Sequence, residues 1–452
     1  MDATTENLAK YALSVSYDEM DANVVAGAKL RIIDTLGCIA GAIDHPVSKS
    51  VCRMATRYSM ETPATIFATG EKTSPEMAAF ANSVMLRVLD LSDSYRVKSG
   101  GHPSDLMGAS LAAAEITSAT GKELIAAIAL GYEVYCSFTE TIDINTKGWD
   151  QPIYGIVASA VSAGKLLRLD REQLSHAIAL ALVPNMATFQ TREGELSAWK
   201  GCAGANAARN GLFAALLAME GFTGPEKPVE GKYGLWDVIG KFQWPLTPGE
   251  APYRIAITNL KAFPICYQGQ TAVWTALGMR DRFSVNEIKT IHVDTYLKAF
   301  TMMGSDPNRW APKTRETADH SMPYVIGMAF LYGDVGETAF TDEALQAPDI
   351  KALMPRITVA EDPALTLAHP EQVPCRMTVT LKDGSKHVHE LPYPKGHAKS
   401  PMNIDEVYNK FRRLYEIYGN TTQADKVIDT VNSLDGLKTI APLYEAFRKT
   451  SI

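Results

Sequence analysis

The chain has 452 residues, 46% of them hydrophobic, and a net charge of −7 with no basic block. That length exceeds what one core usually supports and predicts two domains, while the charge pattern argues against nucleic acid as a partner. The opening Met1-Asp-Ala-Thr-Thr lacks the pattern of a signal peptide, and no uninterrupted apolar run reaches the roughly 18 residues of a membrane span, so a cytoplasmic protein is expected.

From Asp18 onward, Val25, Ala28, Ile32, Leu36 and Ile39 recur at helical spacing, with Asp18 or Ser16 as expected caps. Met77 to Leu89 reads as a mostly buried helix and Leu106 to Ile116 as another, with Pro103 and Ser104 as start signals for the second. Lys122–Tyr135 and Val157–Leu169 are Ala-rich helices dense in small residues, which suits close helix packing. Asp170-Arg-Glu-Gln173 fits a capping box for the helix running through Ala179–Leu182. The first half therefore reads as a helical bundle.

The texture changes after Pro264. Thr290–Tyr296 and Arg376–Leu381 alternate apolar and polar residues, and Lys382-Asp-Gly-Ser385 is a hairpin-type turn into Lys386–Leu391. Asn403–Phe411 and the stretch from Asp425 to Arg448 return to helix. The expected fold is mainly α: a large all-α helical domain, 1–265 completed by helices in 402–452, and a smaller α+β lid domain, 266–401.

Between the two apolar segments around it, Asp90-Leu-Ser-Asp-Ser-Tyr-Arg-Val-Lys-Ser-Gly-Gly-His-Pro-Ser104 crowds acids, hydroxyls, cations and an imidazole onto a glycine-broken loop. Loops held by rigid helices are where chemistry concentrates. His102, after two glycines and before a proline, is the natural proton carrier, because its ordinary pKa lies near working pH. Asp90 and Asp93 sit three apart, which places both carboxylates on one side of a last helical turn. Ser94, Arg96 and Ser104 accompany them.

Lys200 is a lone cation at the start of the small-residue segment Trp199-Lys-Gly-Cys-Ala-Gly-Ala-Asn206, a natural grip for a carboxylate. Lys261 is a second lone cation, before the corner Ala262-Phe-Pro-Ile-Cys266. Arg315 to Tyr324 is a polar approach to an apolar helix expected to begin at Val325, with His320, Ser321 and Tyr324 expected to face one pocket.

The six cysteines lie far apart with no C-x-x-C pair, and no nucleotide, zinc-peptidase or serine-hydrolase signature occurs. No cofactor and no metal is expected.

Together these segments resemble the MmgE/PrpD family, which includes 2-methylcitrate dehydratase, cis-aconitate decarboxylase and an iminodisuccinate epimerase. The marks are Ala81-Asn-Ser, Asp90-x-x-Asp-Ser, Gly101-His-Pro-Ser104, Gly148-Trp-Asp-Gln151, Trp199-Lys-Gly and Asn206-Ala-Ala-Arg-Asn-Gly211. They continue in Lys261-Ala-Phe-Pro264, Gln270-Thr-Ala272, Asp319-His-Ser-x-x-Tyr324, Pro394-Lys-Gly-His-x-x-Ser-Pro401 and Lys410-Phe411.

The resemblance implies a homodimer with a metal-free site between domains, acting on small di- or tricarboxylates. It implies Asp90, Ser94, His102, Lys200, Lys261 and Tyr324 as site residues. Two departures stand out. Gln151 occupies the place where dehydratase and decarboxylase members carry a second histidine, and Cys266 replaces the histidine of the decarboxylases' Phe-Pro-x-His. Gln holds a carboxylate or hydroxyl but cannot shuttle a proton, whereas a Cys of lowered pKa can.

The expected chemistry is proton abstraction next to a carboxylate, with His102 as general base or acid, Asp90 orienting its ring or tuning its basicity, the two lysines stabilising the developing charge, and Tyr324 protonating a leaving hydroxyl or the opposite face of the carbanion. A hydro-lyase is the first expectation, an epimerase or isomerase of a dicarboxylate the second, and a cis-aconitate decarboxylase a further one. A non-catalytic binding protein on the same fold is the rival from another class.

Overall fold

A computed structural model describes residues 1–58, 61–194 and 196–449. The chain divides into two compact units: Met1–Thr191, Ala198–Thr258 and Asn403–Ile452 form the first, and Arg192–Ser197 with Asn259–Met402 form the second.

The first unit is a helical assembly centred on Trp199–Met219, which packs against Pro75–Val88, Pro152–Leu166 and Arg171–Leu182. Small residues make this possible. Ala203, Ala205, Ala207, Ala208, Ala214 and Ala215 are buried around the central helix, letting neighbours approach on several sides. Asp170 and Gln173 form the expected capping box. The second helix of the chain, Ala22–Gly41, is capped by Asp21, whose carboxylate accepts the Asn23 N–H. The expected caps Ser16 and Asp18 belong instead to a separate 3-10 turn at Tyr17–Glu19, because Met20 returns the chain to extended backbone there.

From the C-terminal part of the chain, Ile404–Tyr415, capped by Asn403 with Glu406, packs on Ala22–Gly41. Apart from two-residue strand pairs, the described residues of this unit are helices and loops. One such pair, Tyr95–Arg96 with Gly100–Gly101, shapes the polar loop before His102.

The second unit carries a four-stranded sheet. We number its strands β1 (Ile288–Thr295), β2 (Ile357–Glu361), β3 (Cys375–Leu381) and β4 (Lys386–Leu391). Their order is β2-β1-β3-β4, with β1 and β2 parallel and the other pairs antiparallel. Inward residues of β3, Cys375, Met377, Val379 and Leu381, join a core with Val273, Ala276 and Met279 from Gln270–Arg280 and with Val325, Ile326 and Ala329 from Met322–Tyr332. Alternate burial along β3 explains why its sequence reads as a strand. The last of these helices begins at Met322, three residues before the expected Val325, because Ser321 caps it by accepting the Tyr324 N–H.

The architecture is thus mainly α with a smaller α+β unit. Among the described residues, no helix is long and apolar enough to cross a membrane.

Candidate functional site

In the helical unit the helix Pro75–Val88 ends just before the polar loop, and Asp90 adopts a left-handed backbone, φ 50°. A non-glycine residue tolerates that conformation only where its surroundings hold it. Several contacts do so. The Asp90 N–H donates to the Arg87 carbonyl at 2.9 Å, one carboxylate oxygen lies 3.2 Å from Arg87 Nη1, and the other lies 3.2 Å from Lys200 Nζ.

Arg87 in turn reaches Asp105, with Nε 3.1 Å from its carboxylate. Burial works against the charge on Arg87, but Asp90 and Asp105 outweigh it and raise its pKa, so the guanidinium stays a fixed cation. Lys200, Asp90, Arg87 and Asp105 therefore form a buried chain of alternating charge. Its close approach to the central helix depends on Gly204: a Cβ there would lie 2.2 Å from Asp105 Oδ2.

His102 follows the short strand Gly100–Gly101 and precedes the 3-10 turn Pro103–Leu106. Its Nδ1 lies 2.6 Å from the backbone carbonyl oxygen of Asp93. A carbonyl can only accept, so Nδ1 carries the proton and Nε2 is the nitrogen left to take one up in the neutral ring. The backbone N–H of His102 donates to the Tyr135 hydroxyl at 2.9 Å. The Asp93 carboxylate accepts the Ser104 N–H at 3.1 Å, and burial raises its pKa against the hydrogen bonds of Ser104 and Tyr132. Burial likewise pushes the Tyr132 and Tyr135 phenols up, keeping both protonated.

The other expected residues of this unit take supporting places. Ser94 Oγ donates to the Gly101 carbonyl at 3.3 Å and accepts from Arg96 Nε at 3.0 Å. Gln151, at the start of Pro152–Leu166, presses its side chain against Gly101, where a Cβ would come within 2.3 Å of Oε1 and 2.0 Å of the Tyr135 hydroxyl.

Lys261, Cys266, His320, Ser321 and Tyr324 belong to the second unit. Lys261 is fully buried. The corner after it is braced by Gln270, which accepts from the Ala262 and Phe263 N–H groups and donates to the Phe263 carbonyl. The Cys266 N–H donates to the Asp319 carbonyl at 2.9 Å, tying this corner to the Asp319-His-Ser segment. His320 Nδ1 lies 2.5 Å from Asp319 Oδ1, a carboxylate–imidazole pair. Ser321 donates to the Arg309 carbonyl while capping the next helix. The Tyr324 hydroxyl donates to the Ala339 carbonyl at 2.6 Å, and burial raises its pKa, so proton donation elsewhere requires that bond to break.

Arg87, Asp105 and Tyr135 were not singled out from the sequence. For Arg87 the sequence holds a signal: the lone charge inside the mostly apolar Met77–Leu89 segment must find a buried partner. Asp105 and Tyr135 gave none of that kind.

Residues 6–245 match the model of the MmgE/PrpD N-terminal domain, and residues 263–435 match that of the MmgE/PrpD C-terminal domain. The chain is 28% identical to the 2-methylcitrate dehydratase of Cupriavidus necator over 419 residues, 85% of this chain and 84% of the relative. It is 26% identical over 438 residues to the 2-methylcitrate dehydratase of Escherichia coli, covering 89% and 88%. With the cis-aconitate decarboxylase of Mus musculus it shares 23% identity over 486 aligned residues, covering 100% and 95%.

Proposed function

Because the chain belongs to the MmgE/PrpD family, we propose that it is a lyase that removes the proton next to a carboxylate of a small di- or tricarboxylate. A hydro-lyase of the 2-methylcitrate dehydratase type is the reading we favour. The observation that carries it is the hydrogen bond from His102 Nδ1 to the Asp93 carbonyl, which supports Nε2 as the general base.

In the proposed reaction Nε2 takes the proton, and the electron pair left behind spreads onto the substrate carboxylate. Lys200 stabilises that charge from the helical unit, and Lys261 is proposed as the second cation. The pair then forms the carbon–carbon double bond as hydroxide departs, and an acid must protonate that hydroxide to water. Tyr324 is the proposed acid, and its bond to Ala339 must open for it to act. A buried cation in a water-poor site supplies such stabilisation without reorganising solvent. The family also supports a homodimer.

A second reading, epimerisation of a dicarboxylate, is favoured by Gln151 beside Gly101, since an amide can hold a carboxylate but cannot shuttle a proton. The two part at the fate of the carbanion: loss of hydroxide or reprotonation from the other face. Incubation of the purified protein with 2-methylcitrate, citrate, malate, cis-aconitate and iminodisuccinate, followed by ultraviolet absorbance of new alkene and by chiral chromatography, tests both. Alkene from a hydroxy acid supports the hydro-lyase. Racemised dicarboxylate without alkene supports the epimerase, and a folded protein that binds but converts none of the panel contradicts both.

A further inference from the structure

The helix Ile404–Tyr415, more than 300 residues after the polar loop in sequence, carries a lysine whose ammonium is buried beneath that loop. Lys410 is 6% exposed, and its Nζ lies 2.6 Å from Asp34 Oδ1 and 3.0 Å from the backbone carbonyl oxygen of Leu91. Asp34, on Ala22–Gly41, is also buried. An ion pair in such a place is weak evidence for stability, because desolvating both charges offsets most of their attraction. What the pair adds is a directional, charge-assisted bond to one particular carbonyl.

That carbonyl is at a sensitive point. Leu91 directly follows Asp90, whose left-handed backbone must be held from outside. Two residues further on, the Asp93 carbonyl meets His102 Nδ1. The stretch from Asp90 to Asp93 thus runs from the carboxylate that pairs with Lys200 to the carbonyl that sets the His102 tautomer, and the Lys410 ammonium grips it between those ends.

We propose that Lys410, charge-balanced by Asp34, is a positioning residue that holds the Asp90–Asp93 backbone so that Asp90 meets Lys200 and the Asp93 carbonyl meets His102. The inference rests on the reading of His102 as the base. Lys410 itself touches no reacting atom in this account. Through it the helix Ile404–Tyr415 becomes part of the site's alignment.

The test compares the wild-type protein with K410M and D34N/K410M. The single variant leaves the Asp34 carboxylate buried without its ammonium and is prone to misfold; the double variant removes both charges and keeps the volume. K29M, which breaks the more exposed Lys29–Asp435 pair of the same unit, serves as the control for general destabilisation. The readout is the NMR titration of His102 in protein labelled at the histidine ring carbon, assigned by the signal missing from H102Q. An acceptor on Nδ1–H favours the imidazolium, so a drifting Asp93 carbonyl moves the titration to lower pH, by about half a unit or more.

That shift is expected in D34N/K410M and not in K29M. Where the wild-type protein dehydrates 2-methylcitrate, kcat of the double variant falls about tenfold or more with KM little changed, as for a lost alignment rather than lost binding. An unshifted His102 titration in a folded double variant overturns the proposal, and so does a double variant that cannot fold, since the pair then belongs to global stability. If no substrate of the panel turns over in the wild type, the reading of function fails while the titration still decides the role of Lys410.

Discussion

The imidazole of His102 and the backbone of Asp93 are joined by a 2.6 Å contact, Nδ1 to carbonyl oxygen, that fixes which ring nitrogen can act as a base. The loop keeps this geometry because the His102 N–H is anchored separately on the Tyr135 hydroxyl. Gly101 makes room for that anchor. In Gly101→Ala the new Cβ would meet the Tyr135 hydroxyl at 2.0 Å and Gln151 Oε1 at 2.3 Å, so the loop must shift. We expect kcat to fall about 100-fold, on the scale of losing general-base alignment. Steady-state kinetics together with circular dichroism checks this; a normal kcat would show that the loop has slack.

Lys200 is proposed to bear the charge that develops on the substrate carboxylate. In Lys200→Met the Asp90 carboxylate keeps Arg87, so the fold should survive. The expected loss is about 100- to 1000-fold in kcat, the range seen when one preorganised charge stabiliser is removed. Lys200→Arg, with a larger planar head, should recover only part of it. Comparing kcat and KM for both variants distinguishes this from simple loss of affinity, which would raise KM alone.

Gly204→Ala forces a methyl to within 2.2 Å of Asp105 Oδ2. Either the central helix backs away or the Arg87–Asp105 contact opens. Both costs are of the overpacking kind, about 1–3 kcal/mol. Thermal melts and urea midpoints should report it; an unchanged midpoint would mean that Asp105 has somewhere else to go.

The relation between Gly204 and Asp105 also shows where the sequence stops being legible. Helices such as Arg171–Leu182, with its Asp170 cap, and strands such as Lys386–Leu391 follow from local periodicity and turn chemistry. The polar loop around His102 stood out because so many ionisable residues rarely gather between apolar segments. Long-range partners did not. Nothing near Asp105 announces Gly204 or Arg87, and nothing near Leu91 announces Lys410, because those contacts are products of packing. Strand β2, which pairs in parallel with β1, escaped for a related reason: its half-exposed residues Val359, Ala360 and Glu361 show no clean alternation. The grouping of residues 192–197 with the second unit likewise has no mark in composition.

In the second unit, burial, with Lys399 nearby, pushes the His397 imidazole down to about 4 from an ordinary 6.5. The geometry agrees: the Lys399 backbone N–H donates to His397 Nδ1 at 3.0 Å, which needs that nitrogen unprotonated, and the ring stacks on Tyr393. A pKa lowered on folding means the unfolded chain binds the proton first. The contribution is whole above pH 6.5 and is lost as pH falls from 6.5 towards 4. We expect urea midpoints of the unit's unfolding to drop over that window by an amount worth up to about 3 kcal/mol. His397→Gln should flatten the dependence, and an equally steep fall in that variant would assign it to other groups.

The central claim is that His102 removes a proton next to a carboxylate. The most direct measurement is proton NMR of wild-type protein and H102Q in deuterium oxide with 2-methylcitrate, following both alkene formation and loss of the adjacent C–H signal. The account predicts elimination by the wild-type protein and a rate at least about 100-fold lower in folded H102Q. Elimination by H102Q at the wild-type rate would contradict it, as would a wild-type protein that neither eliminates nor exchanges that proton.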